Sequence, residues 1–419
     1  MVRIFVVITI IVLGQTVASA KSVYVSTTGS DATTYANNDI DNPWLTVNEA
    51  FTNTSVAPGD TVFFRAGTYT ITSTIDTKLS GSSGTPGSPI VFTSYPGEQA
   101  VFSSSTISGY TKVFKIQKNY QRVEGINFTG TPATWFDLGE DLGGDYFEVR
   151  NCDVELGSNG DNTGFVMGNP GADYCVVEYN TISGTGPNTT PGNTGGLLFL
   201  RSNYLTVRYN TISNCPIGIY FKHGQTTPTD TGNEIAYNYI RNCGRYSMEL
   251  NGSYTYVHNN IFDADCGSFR INESNGVPRG DYNTIEHNII LGGNAYGALW
   301  LSDDDDGANN NTITNNIIED YTSCCTGNTW DYNLYMTGSA IGGNDIANQS
   351  PTYTTTPQVN PEDYQLTAES YGYQAGDDSE NMGVVDATQV GSGADAGETT
   401  PPGAEITPPT NLTATSGGS

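Results

Sequence analysis

The chain is short of positive charge. Its 419 residues hold 16 Lys and Arg against 44 Asp and Glu, a formal net charge of -28. So acidic a surface excludes nucleic acid and anionic lipid as natural partners, because both would be repelled. Histidine is scarcer still, with three residues. Lysine nearly vanishes partway along: after Lys118 the only one is Lys222. Long apolar runs are absent apart from Ile4 to Leu13. That stretch is too short to span a bilayer. With Arg3 before it and Ala18-Ser19-Ala20 after it, the pattern is that of a secretory signal peptide over residues 1–20. An exported chain starting at Lys21, with no membrane span, is expected. Cysteine is modest and odd in number, at seven, so at least one thiol stays unpaired within the chain. Helical periodicity is missing throughout.

What is present favours strands and turns: 49 Gly, 26 Tyr and many Asn, Thr and Ser. Aligning "VEGINF", "VRNCDV", "VEYNTI", "VRYNTI", "AYNYI", "VHNNIF", "IEHNII", "ITNNII" and "WDYNLY" brings one column into register. It reads Ile126, Cys152, Asn180, Asn210, Asn238, Asn260, Asn288, Asn316, Asn333. Seven consecutive asparagines at one phase mark a structural repeat. Each unit offers short β-branched runs between Gly/Asn turns and cannot bury its apolar face alone. Stacked at about 4.8 Å per layer, the units share one core. Asn tolerates left-handed backbone, and stacked amides can bond along the stack. The expected fold is all-β, a right-handed parallel β-helix of roughly ten coils with three strands each.

Cys215 and Cys243 each lie five residues past their asparagines, so they are expected to stack in adjacent coils, as buried thiols or as a disulfide. "SCCTG" at Cys324 and Cys325 lacks metal-ligand spacing. After about residue 395, "GETTPPGAEITPPTNLTATSGGS" turns into a Pro/Thr/Gly linker or the start of a further module. The β-helix domain, with its N-terminal cap, is therefore assigned to residues 21–395 and the linker to 396–419.

Five successive coils carry a strand after the column: "GLLFLRS", "IGIYFKHG", "YSMELNG", "GSFRINES" and "GALWLSDD". Strand alternation places Leu198/Leu200, Ile219/Phe221, Met248/Leu250, Phe269/Ile271 and Leu299/Leu301 inward. Facing out are Phe199, Arg201, Tyr220, Lys222, Glu249, Asn251, Arg270, Asn272, Trp300 and Ser302. Aromatic rings stack on sugar faces and cations meet carboxylates. Phe199, Tyr220, Asn251, Asn272 and Trp300 are thus candidate substrate-binding residues for an acidic polysaccharide. Cleaving such a polymer by β-elimination requires a neutralised carboxylate, a base for the proton α to it, and a proton for the leaving oxygen. Lys222 is the candidate base, His223 the alternative, and Arg201 and, less directly, Arg270 the cations that would assist it. "SDDDDG" at Ser302–Gly307 concentrates four acids at a turn. Hard oxygen ligands suit calcium, so Asp303, Asp304, Asp305 and Asp306, with Glu249 from the strand face, are candidate Ca2+ ligands.

"VYVSTTGSDATTYANNDIDNPWLTVNEAF", "PGDTVFFRAGTYTI" and "SGTPGSPIVFTSYPGEQAVFSSS" resemble the N-terminal part of pectate-lyase-like right-handed β-helix proteins. "YQLTAESYGYQAGDD" is similar to that family's closing segment, so the resemblance runs from Val23 to about Tyr373. "FKHG" at Phe221–Gly224 resembles the surroundings of the catalytic lysine in one pectate lyase family of this fold. The resemblance implies a polysaccharide lyase with Lys222 as its base; the protein is expected to be secreted, on its signal peptide, and monomeric. In that family the calcium-binding aspartates precede the lysine; here the aspartate run follows it. Two alternatives stand beside the lyase: a glycoside hydrolase using Glu249 with Glu273 or Asp303, and a solenoid that binds glycan without cleaving it.

Overall fold

The computed structural model describes residues 19–104, 112–132, 134–139, 143–157, 162–169, 172–187, 192–200, 202–222, 232–272, 280–302 and 308–391. The proposed signal residues up to position 18, Arg201, His223, Glu273, Asp303 to Asp306 and residues 392–419, which include the whole linker, lie outside them.

The chain winds through three parallel sheets of twelve, twelve and ten strands, visited in that order on each coil. One coil runs through Val176–Glu178 in the first sheet, Thr181–Ser183 in the second and Leu197–Leu200 in the third. Each strand pairs with the equivalent strand one coil on, in register, as in Val177↔Val207 and Ile182↔Ile212. Twelve layers at about 4.8 Å give a rod a little over 50 Å long, the right-handed parallel β-helix expected from the repeat.

The asparagine column is the internal ladder of this rod. Asn180, Asn210, Asn238, Asn260, Asn288, Asn316 and Asn333 are fully buried. Each of the first six donates its Nδ2 to the next Oδ1 at 2.9–3.1 Å. The left-handed residue of this corner is the one before: Tyr179, Tyr209, Tyr237, Asn259, His287, Asn315 and Tyr332 have φ between 52° and 58°. Aromatics rarely take that conformation. Here ring stacking offsets the cost, with Tyr179, Tyr209 and Tyr237 stacked at 4.7 and 5.0 Å. A second stack on the other side of the first sheet joins Tyr120, Tyr146, Tyr174 and Tyr204 at 4.4–4.9 Å.

Val47–Thr52 forms one short helix over the N-terminal end of the core. Thr46 caps it by accepting from the Glu49 amide at 3.1 Å, and Phe51 stacks on Phe92 at 3.8 Å. Late strands of the second sheet are apolar on both faces. Ile240, Phe262, Ile290 and Ile318 turn into the core, while Tyr239, Ile261, Ile289, Ile317 and Leu334 turn out. The closing segment covers that outer row with Tyr364, Leu366, Met382, Val384, Ala387 and Val390. Cys215 and Cys243 are buried free thiols, as are Cys152, Cys175 and Cys266; Cys324 and Cys325 are joined to each other. Burial pushes the Cys215 thiol up to about 12, so it stays protonated and inert.

Candidate functional site

The outer face of the third sheet gathers most of the described candidates. Its register sets Leu198, Tyr220, Glu249, Arg270 and Trp300 in one row across successive coils. A second row runs through Leu200 and Lys222. It continues to Asn251, Asn272 and Ser302, whose amides bond to Phe221, Leu250 and Ile271 at 3.2, 3.0 and 2.9 Å. Four of the five strands therefore face as their alternation implies, with Ile219/Phe221, Met248/Leu250, Phe269/Ile271 and Leu299/Leu301 inside.

The strand Leu197–Leu200 is the exception. Phe199 is fully buried in the core, its ring tilted against Phe221 at 5.1 Å, and is not a substrate-binding residue on this face. Leu198 and Leu200, expected inside, face out. The cause is visible in "LLFL": four apolar residues in a row carry no alternation, and a one-residue slip inverts a strand. Space decides the register. Phe199 pairs with Gly168 one coil back, where an added Cβ would lie 3.0 Å from the Phe199 ring.

Lys222 is half-buried at the end of the strand Ile217–Lys222. Among the described residues its ammonium takes part in no hydrogen bond and no ion pair, and its neighbours along the row are Leu200 and Asn251. Asn251 and Asn272 are almost wholly buried, and the Oδ1 of each has no hydrogen-bond partner. Two orphaned amide oxygens side by side next to a lysine mark a polar spot whose partners come from elsewhere.

The middle row is tied together. Arg270 Nη1 lies 3.3 Å from Glu249 Oε1, and Nη2 bonds Ser302 Oγ at 3.2 Å. The same guanidinium sits 4.4 Å over the Trp300 ring and 5.7 Å from that of Tyr246. Both members of the pair are below a tenth exposed. Arg270 thus neutralises Glu249 and braces the aromatics. Burial chiefly, and the Glu249 carboxylate next, push the Tyr220 phenol well above its ordinary range, so it remains a neutral hydroxyl.

Three participants have no counterpart in the alternation argument. Tyr246 joins Met167, Leu198, Ile217 and Tyr220 in an apolar cluster on this outer face, with Leu200 and Trp300 against it. Tyr296 stacks on Trp300 at 4.0 Å and 8°. Arg245 lies 5.0 Å over the Tyr246 ring. Each stands at or before a strand's first residue, where period-two patterning has nothing to say.

The described residues do not assemble a calcium site. Glu249 is engaged by Arg270, and no group of three His, Cys, Asp or Glu side chains that could hold an ion occurs among them. The same ion pair also removes Glu249 as one free carboxylate of a hydrolytic pair, and its suggested partners lie outside the described residues.

Residues 23–197 match a family model described as the Pel9A-like, right-handed β-helix region. A structure of pectate lyase Pel9A superposes with a TM-score of 0.61 at 15% identity, covering 88% of this chain and 97% of that one. A mannuronic acid specific polysaccharide family 6 lyase from human gut microbiota superposes with a TM-score of 0.51 at 15% identity, covering 75% of this chain and 66% of that one. At such identities the likeness is one of fold. No curated protein sequence matches the chain.

Proposed function

We propose that this chain, which carries the right-handed parallel β-helix of the pectate-lyase-like superfamily, is a polysaccharide lyase that cleaves an acidic, uronate-containing glycan on the outer face of its third sheet. The observation that carries the proposal is Lys222. In a chain of net charge -28, a half-buried, outward lysine without an ionic partner among the described residues stands beside two orphaned amide oxygens.

The chemistry follows from that arrangement. The Nδ2 groups of Asn251 and Asn272 donate to the uronate carboxylate, drawing charge from the α carbon, and their orphaned Oδ1 atoms accept from sugar hydroxyls. Neutral Lys222 removes the α proton. The electron pair of that C–H bond becomes the new C=C bond, and the glycosidic C–O bond on the β carbon breaks. The leaving oxygen takes a proton from water, and Lys222 returns its own to solvent. Arg270, held by Glu249, keeps Trp300 and Tyr246 in place as the wall against which the sugar lies. His223 and Arg201 belong to the proposal by sequence position alone.

Incubation with a panel of uronic-acid polymers tests the proposal. Ultraviolet-absorbing unsaturated ends are the expected product. New reducing ends without that absorbance would assign a hydrolase, and binding without cleavage a glycan-binding solenoid.

A further inference from the structure

We propose a second carbohydrate subsite on the third sheet, at the opposite strand ends from Lys222, in which Tyr296, backed by Trp300, stacks a sugar ring and Arg245 binds a carboxylate of the same acidic chain. The subsite rests on the acidic-glycan reading above but not on the identity of the base.

Its core is a layered stack. The Arg245 guanidinium lies 5.0 Å over Tyr246, Arg270 lies 5.7 Å from Tyr246 and 4.4 Å over Trp300, and Trp300 lies 4.0 Å under Tyr296. The interior of the stack is fixed, because Arg270 is bound by Glu249 and Ser302. Its two ends, Arg245 and Tyr296, are both partly exposed. Tyr296 is 50% exposed and rests one face on Trp300. A rigid ring presented in this way binds a sugar face with little ordering cost.

Charge identifies the ligand class. Of the seven described arginines, Arg65, Arg122, Arg150, Arg208 and Arg270 bond carboxylates. Arg241 donates to the Val359 carbonyl at 3.1 Å. Arg245 has no carboxylate or carbonyl partner for its guanidinium among the described residues. In a protein with 44 acids, a fork of donors left without one is matched to an anion from outside. Tyr246, at the start of its strand, pairs with Ile217, five residues before Lys222. An oligosaccharide with a uronate at Lys222 therefore crosses the sheet to reach Arg245, so the subsite selects acidic chains of more than one unit.

Binding is measured on the Lys222→Ala protein, which removes turnover, with a 4-linked uronic-acid trisaccharide and its methyl-esterified, uncharged counterpart. Trp300 reports directly, since Trp44, Trp135 and Trp330 are buried. The acidic trisaccharide is expected to change tryptophan emission, and Trp300→Phe to abolish the change. Arg245→Gln should weaken the acidic ligand by about tenfold, the scale of a lost charge-assisted bond, and leave the ester unaffected. Tyr296→Ala should weaken both ligands alike. An Arg245→Gln protein that binds both as before, or loses both equally, overturns the subsite, as does an acidic trisaccharide that never binds. If binding follows this pattern while the wild type cleaves no acidic polymer, the lyase proposal fails and the subsite stands. If the wild type cleaves and Arg245→Gln changes nothing, the reverse holds.

Discussion

Glu249 and Arg270 occupy paired positions on adjacent strands of the third sheet, and the 3.3 Å contact between them is buried beneath Trp300. Removing one partner leaves a buried charge. Glu249→Ala is expected to cost about 3–5 kcal/mol, and Glu249→Leu with Arg270→Met much less, since no charge is then stranded. Urea midpoints of the two variants test this; equal losses would mean that packing, and not charge, dominates.

Lys222→Ala is expected to abolish cleavage while the thermal midpoint stays close to wild type, because the side chain faces out. Lys222→Arg should fail almost as completely, since a guanidinium does not give up its proton near neutral pH. His223→Ala should cost far less. A Lys222→Ala protein that cleaves an acidic glycan at near wild-type rate would sink the assignment.

Asn238 donates to Asn260 Oδ1 and to the carbonyls of Val207 and Ala236, and its own Oδ1 receives the amides of Asn210. Asn238→Leu should destabilise by about 1–3 kcal/mol, because these buried groups lose their partner without access to water. An unchanged denaturation midpoint would count against the ladder as a stabilising element.

On the outer face of the first sheet, His258 Nε2 lies 3.1 Å from Glu234 Oε1. That hydrogen bond, against the opposing effect of burial, holds the Glu234 carboxyl below its ordinary value. A depressed folded value means stability that is present above the unfolded value of about 4.3 and lost as pH falls through the folded one. His258→Gln should therefore lower stability near pH 6, with the gap to wild type closing towards about pH 3. Denaturant midpoints at both pH values decide it; a gap independent of pH would assign the loss to Tyr256, which stacks on His258 at 4.1 Å.

Calcium at Asp303 to Asp306 is carried by sequence alone. A chelator is expected to lower the melting temperature of the wild type, and Asp304→Ala with Asp305→Ala to remove that sensitivity. The same response in both proteins would locate the ion elsewhere.

The coil repeat was legible without coordinates because one buried amide per turn must bond the next, and that requirement writes Asn at Asn180 through Asn333. The outward row from Tyr220 to Trp300 was legible for a similar reason: "IYFK", "SMEL" and "FRIN" alternate apolar with polar, and a buried face tolerates no slip. "LLFL" does not alternate, so only packing against Gly168 and Phe221 could settle that Phe199 turns in and Leu200 stands beside Lys222. Pairing was likewise beyond sequence. Glu249 and Arg270 are separated by a turn of the coil, and nothing in local pattern says that the arginine closes on that acid and on Trp300. Tyr246 and Tyr296 precede or open their strands, where periodicity is silent. Their place in one aromatic shelf follows from three coils stacking at a common corner, which only the tertiary structure decides.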